Sequence, residues 1–182
     1  MKTFIALLRG INVSGQKKVR MAELRDLLST VGLEDVRTYI QSGNVIFSSE
    51  LSSEKDLALK IKKAIHDNFG FEVPVLVIEP KIIQKMIDRC PFPTGKKENS
   101  YFTLLFDLPD PQVVEGIKNI NFEGEELSIE GRFIYFYSSM GYGRSKLNNN
   151  FLERKLKIKA TARNYRTMMK LLSLCNHNQP ND

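Results

Sequence analysis

Polar loops that combine glycine with amide, hydroxyl and guanidinium side chains are the parts of this sequence best equipped for chemistry. They occupy residues 9–15, 41–44 and 141–146, and a fourth segment at residues 161–167 carries two arginines and an asparagine. Amides and guanidinium groups donate hydrogen bonds, so these segments suit an anion, and loops often carry binding residues. The candidate ligand-binding residues are Arg9, Gly10, Asn12, Lys18, Gln41, Ser42, Gly43, Asn44, Arg144, Ser145, Lys146, Arg163, Asn164 and Arg166.

The same residue types are also ordinary turn formers, which leaves a structural interpretation open. Gly10, Gly15 and Gly43 can permit the positive φ of tight turns, and Asn12 and Asn44 can cap those turns. The arginines at residues 163 and 166 can instead pair with carboxylates elsewhere in the chain.

Few residues suggest a reaction. His66 lies in a predicted helix and His177 in the polar tail, so neither predicts a triad or a metal cluster. Residues 10–18 have the glycine spacing of a phosphate-binding P-loop but Gln16 in place of its lysine. Ser42 and Ser145 have no identifiable base. The catalytic residues are therefore unknown, and we expect neither a metal nor another cofactor.

Positive charge is concentrated near the C-terminus. The formal net charge is +6, whereas residues 141–175 alone carry +8 and the rest of the chain −2. Residues 9–20 add a second cluster of four cations without an acid. Such clusters attract phosphates and nucleic acids, although Arg154, Lys155, Lys157 and Lys159 can equally form a solvated helix surface.

The composition predicts a globular, cytoplasmic protein. The chain has 182 residues, of which 42% are hydrophobic, enough for a sizeable core. The apolar run Phe4–Leu8 is too short for a secretion signal or a membrane span, so we expect no membrane partner. Cys90 and Cys175 lack metal-binding spacing and are expected to be free thiols.

Apolar spacing predicts alternating strands and helices in the first half of the chain. The expected strands are residues 3–8, 36–41, 45–48 and 74–79, and the expected helices are residues 21–31 and 54–69. This βαββαβ order is that of the ferredoxin-like, or α/β-plait, unit.

The second half repeats this order incompletely. Strands are expected at residues 101–106, 127–130 and 132–137, with helices at residues 110–118 and 146–157. A basic helix from Arg163 to Leu174, with Thr161 as its N-cap, replaces the fourth strand. We therefore predict an α+β fold of two ferredoxin-like units in tandem, the second a degenerate βαββα unit ending in a C-terminal helix. The predicted domains are residues 1–80 and 101–182, joined by a helix and linker at residues 81–100.

The predicted topology brings two distant loops together. In a βαββαβ unit the first strand ends beside the hairpin that joins the second and third strands. Residues 9–12 and 41–44 should therefore converge where the first helix begins, and its free N–H groups favour anions there. We expect Arg9 and Asn44 to contact the ligand and to be dispensable for the fold.

Five segments carry a resemblance to a known family. They are Leu7–Val13, Val19–Met21, Arg37–Asn44, Gly143–Lys146 and Thr161–Asn164. In this order they resemble the recurring motifs of an uncharacterised bacterial family, domain of unknown function 1697, over essentially the whole chain. The resemblance implies an α+β fold of plait-like units in a small cytoplasmic protein, and it implies no activity.

Three functions remain open from the sequence. The first is a non-catalytic or weakly catalytic binder of an anionic small molecule, such as a nucleotide. The second is a sequence-nonspecific nucleic-acid-binding protein that uses the basic C-terminal region, although the signature of RNA-recognition domains is absent. The third is an enzyme of unknown substrate. The sequence does not set an oligomeric state.

Overall fold

Two four-stranded antiparallel sheets form the framework of this α+β protein. The computed structural model describes residues 1–141, 143 and 145–176. Sheet 1 contains β1 (Lys2–Leu8), β2 (Glu34–Tyr39), β3 (Asn44–Ser49) and β4 (Val75–Ile78), in the order β2-β3-β1-β4. Sheet 2 contains β5 (Tyr101–Leu105), β6 (Glu125–Glu130), β7 (Phe133–Ser138) and β8 (Ala160–Asn164), in the order β6-β7-β5-β8. The helices are α1 (Met21–Thr30), α2 (Glu54–Phe69), α3 (Pro80–Asp88), α4 (Thr94–Lys97), α5 (Pro111–Lys118), α6 (Asn149–Leu156) and α7 (Tyr165–Asn176).

One face of sheet 1 packs against α1 and α2. Phe4 and Phe47 stack across the β1–β3 pair with ring centroids 5.8 Å apart, and Leu24 of α1 and Ile61 of α2 complete this core. Residues 4–8 are all buried, so the opposite face of β1 is covered as well. This explains why β1 is a continuous apolar run rather than an alternating one.

The boundaries of α2 follow from local sequence signals. Ser53 Oγ accepts a hydrogen bond from Asp56 N, which caps the first turn. Gly70 ends the helix in the left-handed conformation, with φ of 76°.

Sheet 2 has a core of its own. Leu105, Ile134 and Ala160 pack with Ile117 of α5 and Leu152 of α6. The order of elements from β5 to β8 is strand, helix, strand, strand, helix, strand, which repeats the order from β1 to β4.

The predicted absence of a fourth strand in the second half is wrong. Residues 160–164 form β8, which pairs antiparallel with β5 from Leu105↔Ala160 to Tyr101↔Asn164. The helix expected from Arg163 begins only at Tyr165, because Asn164 Oδ1 accepts from Thr167 N and caps it. Thr161, the expected N-cap, is a buried strand residue. The second unit is therefore not degenerate.

Two further boundaries differ from the prediction. The helix expected from residue 146 begins at Asn149, because Asn148 Oδ1 accepts from Phe151 N. The predicted linker contains the short helix α4.

The chain divides into two compact units. One comprises residues 1–84 together with the chain from Lys170 onward, and the other comprises residues 85–169. The divisions fall within α3 and α7. The predicted domain boundaries, residues 1–80, 81–100 and 101–182, stay a prediction.

Across the described residues, no helix has the length and apolarity that a membrane span requires.

Candidate functional site

The loop after β1 and the β2–β3 turn meet at one end of sheet 1. Asn12 Nδ2 donates to Gln41 O over 2.9 Å, and Leu8 N donates to Gly43 O over 2.8 Å. The convergence expected from the βαββαβ order is therefore confirmed for these two loops. We call this end of the sheet, residues 9–20 with residues 40–43, the loop cluster.

Asn12 holds the loop cluster together. Besides Gln41 O, its Nδ2 donates to Val19 O over 2.9 Å, and its Oδ1 accepts from Val19 N at the same distance. Its φ of 54° lies in the left-handed region, which asparagine tolerates better than most residues. One side chain thereby closes the loop onto itself and onto the neighbouring turn.

Gly43 allows the close approach of these two loops. Its φ is 79°, and a Cβ at this position would lie 2.6 Å from Leu8 Cβ and 2.9 Å from Ile11 Cδ1. No side chain fits there without displacing β1. Gly43 is therefore required by packing as well as by the turn.

Asn44 has a structural role, which corrects the expectation that it is dispensable for the fold. It is fully buried, and its Nδ2 donates to Tyr39 O over 3.0 Å and to Ser42 Oγ over 2.9 Å. These bonds close the hairpin turn. The amides of Asn12 and Asn44 thus serve the backbone.

The cations of the loop cluster are its remaining donors. Lys18 and Arg20 are exposed, and the Arg9 side chain is partly buried while its backbone N donates to Pro74 O over 2.9 Å. Lys17 Nζ donates to Glu72 O over 2.6 Å. All four cations therefore lie on the loop that is joined to the 40–43 turn.

The start of α1 already has a carboxylate beside it. Arg20, at the N-cap position, makes no capping side-chain bond, and its Nη1 lies 3.5 Å from Glu23 Oε1 in the first turn. Glu23 is the favourable partner of the positive helix end. The free N–H groups of α1 therefore add less to anion binding than the sequence suggested.

In the second unit, an internal carboxylate occupies backbone donors at the C-terminal end of the 141–146 segment. Glu125 accepts from Lys146 N over 3.1 Å and from Leu147 N over 3.3 Å. An open cleft of about 580 Å³ beside Lys146 is lined by Glu123 and Glu125 among others, so its lining does not favour an anion. Ser145 is buried, and its Oγ has no hydrogen-bond partner within the described part of the chain. Arg144 lies outside the described residues.

The three candidates at the β8–α7 junction have different roles. Arg163 is a strand residue, only 9% exposed, and its Nη1 donates to Thr161 Oγ1 over 2.9 Å and to Ala162 O over 2.8 Å. Asn164 caps α7. Arg166, in the first turn, is exposed. The expectation that Arg163 lies in the opening turn of the helix is wrong.

The structure thus brings together Arg9, Gly10, Asn12, Gln41, Ser42, Gly43 and Asn44, with Lys18 on the same loop. The remaining described candidates, Ser145, Lys146, Arg163, Asn164 and Arg166, belong to the second unit. Within the described residues, no group of three or more His, Cys, Asp or Glu side chains could hold a metal ion.

Sequence reasoning missed Arg37, which opens the Arg37–Asn44 motif. Its Nε and Nη2 atoms are buried and have no hydrogen-bond partner among the residues that the structure describes. The available signal was a guanidinium inside a predicted strand, where a charged side chain on a covered sheet face requires an explanation.

The fold places this chain among α+β proteins with two antiparallel sheets. A solved structure described as conserved bacterial protein SP0830 from Streptococcus pneumoniae is similar to this chain, with 25% sequence identity and a TM-score of 0.75 over 97% of this chain and 99% of that one. A family model described as a protein of unknown function, DUF1697, matches residues 1–135. The chain belongs to the DUF1697 family. No curated protein shows significant similarity to it.

Proposed function

We propose that this protein binds a phosphorylated small molecule, such as a nucleotide, at the loop cluster of sheet 1. One observation carries the proposal. The loop of residues 9–20 contains four cations and no acid, and the Asn12–Gln41 hydrogen bond joins it to the 40–43 turn. Arg9 and Lys18 supply positive charge, and the glycines of the two loops leave backbone donors close to a ligand. Asn12, Gly43 and Asn44 fix the loops and do not contact the ligand.

The scaffold supports this assignment. We read each half as a ferredoxin-like unit, from the strand orders β2-β3-β1-β4 and β6-β7-β5-β8, and the two halves as a tandem duplication. A rigid sheet end presents loops with little loss of conformational entropy on binding. The free Cys90 and Cys175 support a reducing, cytoplasmic location.

A ligand titration tests the loop site. In a thermal-shift and calorimetric titration with ATP, AMP and a matched nucleoside, we expect the nucleotides but not the nucleoside to bind the parent. Arg9→Gln with Lys18→Gln should weaken binding by about tenfold or more, because charge-assisted hydrogen bonds to phosphate are lost. Lys55→Gln with Lys85→Gln, which removes two exposed charges on α2 and α3, is the matched control and should bind as the parent does. Equal losses in both variants, or no binding by the parent, would contradict the proposal.

Exposed cations on the second unit favour nucleic acid as a second candidate function. Arg154, Lys155, Lys157 and Lys159 are all exposed around the end of α6 and the start of β8. Such a surface binds phosphates without reading bases, so log affinity for duplex DNA should fall with log salt by about 0.9 per phosphate neutralised. Filter binding at increasing salt measures this slope. Failure to retain any oligonucleotide at low ionic strength would exclude this function.

A further inference from the structure

Arg37 of β2 carries two guanidinium donors without partners. Its Nε and Nη2 atoms are closed to solvent, and neither donates a hydrogen bond within the described part of the chain. An arginine stays protonated in proteins, so the charge cannot be lost by titration. Burying such donors without an acceptor is costly. Their presence therefore points to an acceptor that completes the site.

A β-bulge decides which face of the sheet Arg37 occupies. Glu34 pairs with Ser48 and Arg37 with Ile46, so β2 has one extra residue between these pairs. Asp35, within this interval, has a left-handed φ of 51°. Arg37 consequently lies on the face of Ile46, opposite the face that packs against α1.

The next residue confirms this orientation. Thr38 pairs with Val45, which belongs to the core between sheet 1 and the helices α1 and α2. Its Oγ1 accepts a hydrogen bond from Arg25 Nη1 of α1 over 2.8 Å. Side chains alternate between the faces of a strand, so the Arg37 side chain lies on the other face. Bulges commonly re-aim a side chain in this way beside functional sites.

Buried residues flank Arg37 on this face of the sheet. Its cross-strand partner Ile46 is fully buried, and the guanidinium is close enough to the buried thiol of Cys175 in α7 to act on it electrostatically. β2 is an edge strand of sheet 1, and the Arg37 side chain as a whole is only partly buried. Arg37 therefore lies at an edge of the sheet and is partly exposed as a residue, although Nε and Nη2 are covered.

We propose that Arg37 binds an oxyanion group, a carboxylate or a phosphate, at the outer edge of β2. Nε and Nη2 lie on one edge of the planar guanidinium, where their N–H groups run parallel and match two oxygens on one carbon or phosphorus atom. The two donors without partners are thus the pair that makes bidentate contacts. Because both donors are closed to solvent, ligand binding requires the side chain to move outward. This site is separate from the loop cluster and does not depend on its function.

Small-ion titrations of the full chain test the proposal. Inorganic phosphate and acetate are added separately, in a buffer without other oxyanions, while the melting temperature and the Arg37 Hε–Nε resonance are followed by thermal shift and NMR. We expect at least one ion to raise the melting temperature and to shift this resonance saturably. A response to phosphate alone identifies a phosphate site, and a response to acetate as well identifies a general oxyanion site. Arg37→Met should abolish the response.

Two controls separate Arg37 from nonspecific charge. Arg25→Met removes an arginine of α1 that contacts Thr38 on the opposite face of β2. This variant should keep the response to the ions. Arg9→Gln with Lys18→Gln removes the cations of the loop cluster, and the Arg37 resonance should still shift in this variant. A response that persists in Arg37→Met overturns the proposal. Should Arg37→Met not fold, an Arg37 resonance in the parent that neither ion shifts overturns it equally.

Discussion

At the scale of single residues, side chains that looked like ligand donors mostly satisfy the chain's own backbone. Asn12 and Asn44 close loops, and Asn164 caps a helix. The Glu125 carboxylate accepts hydrogen bonds from the backbone N–H groups of Lys146 and Leu147. Buried polar groups need partners, so a polar motif in a covered loop is first of all a network of hydrogen bonds. Exposed cations are therefore better ligand candidates than these amides.

Arg163 and Arg166 make this distinction testable. Arg163→Gln should lower the free energy of unfolding by about 1–3 kcal/mol, because Thr161 Oγ1 and Ala162 O lose a buried donor. Arg166→Gln, at an exposed position, should change it by less than about 0.5 kcal/mol. Urea denaturation followed by circular dichroism measures both. Equal changes in the two variants would argue against a structural role for Arg163.

At the scale of elements, the β1–α1 loop and the β2–β3 turn behave as one structure. Leu8 N and Asn12 Nδ2 both donate across the junction, and Gly43 packs against Leu8 and Ile11. This junction determines where Arg9 and Lys18 stand relative to Gln41 and Ser42. A substitution in either loop should therefore alter the conformation of the other.

Two glycines with nearly the same φ separate backbone strain from packing. Gly10 has φ of 76° with open space around it, so Gly10→Ala should cost about 1–2 kcal/mol, from the left-handed backbone alone. Gly43→Ala, at φ of 79°, should lower the free energy of unfolding by several kcal/mol. The new methyl group would lie 2.6 Å from the Cβ atom of buried Leu8 in β1. Chemical denaturation of both variants checks the difference. Similar losses would mean that the turn adapts to the methyl group.

At the scale of the whole molecule, stability should depend on pH through a buried thiol. Cys175 is 6% exposed, and burial raises its pKa from 9.0 to about 11, while the nearby Arg37 opposes that rise. The folded state therefore binds this proton more tightly than the unfolded state does. The stability linked to Cys175 is fully present below pH 9 and is lost as the pH rises toward about 11.

Comparison with Cys175→Ala isolates this effect. The parent should lose on the order of 2 kcal/mol more than the variant between pH 9 and about 11, according to urea unfolding at several pH values. Alkylation of Cys175 in the folded protein should also be slow at neutral pH, because the thiolate is the reactive form. Parallel pH profiles for the two proteins would contradict a raised pKa.

Local sequence by itself determined the elements whose signals lie within a few residues. The apolar run of β1, the Ser53 cap and Gly70 stop of α2, and the Gly43 turn were all predictable, because each depends on propensity or on a nearby backbone group. The order of these elements also predicted that the loops after β1 and β2 converge. The family motifs pointed to the same loops.

Only the tertiary structure decided the features whose partners are distant in the chain. β8 has the polar sequence Ala160–Asn164 and becomes a strand because β5, about sixty residues earlier, supplies its hydrogen bonds. The amides of Lys146 and Leu147 are occupied by Glu125, and Arg37 is re-aimed by a bulge that exists only against β3. Pairing across the sheet and burial set these outcomes, and a local residue pattern contains neither.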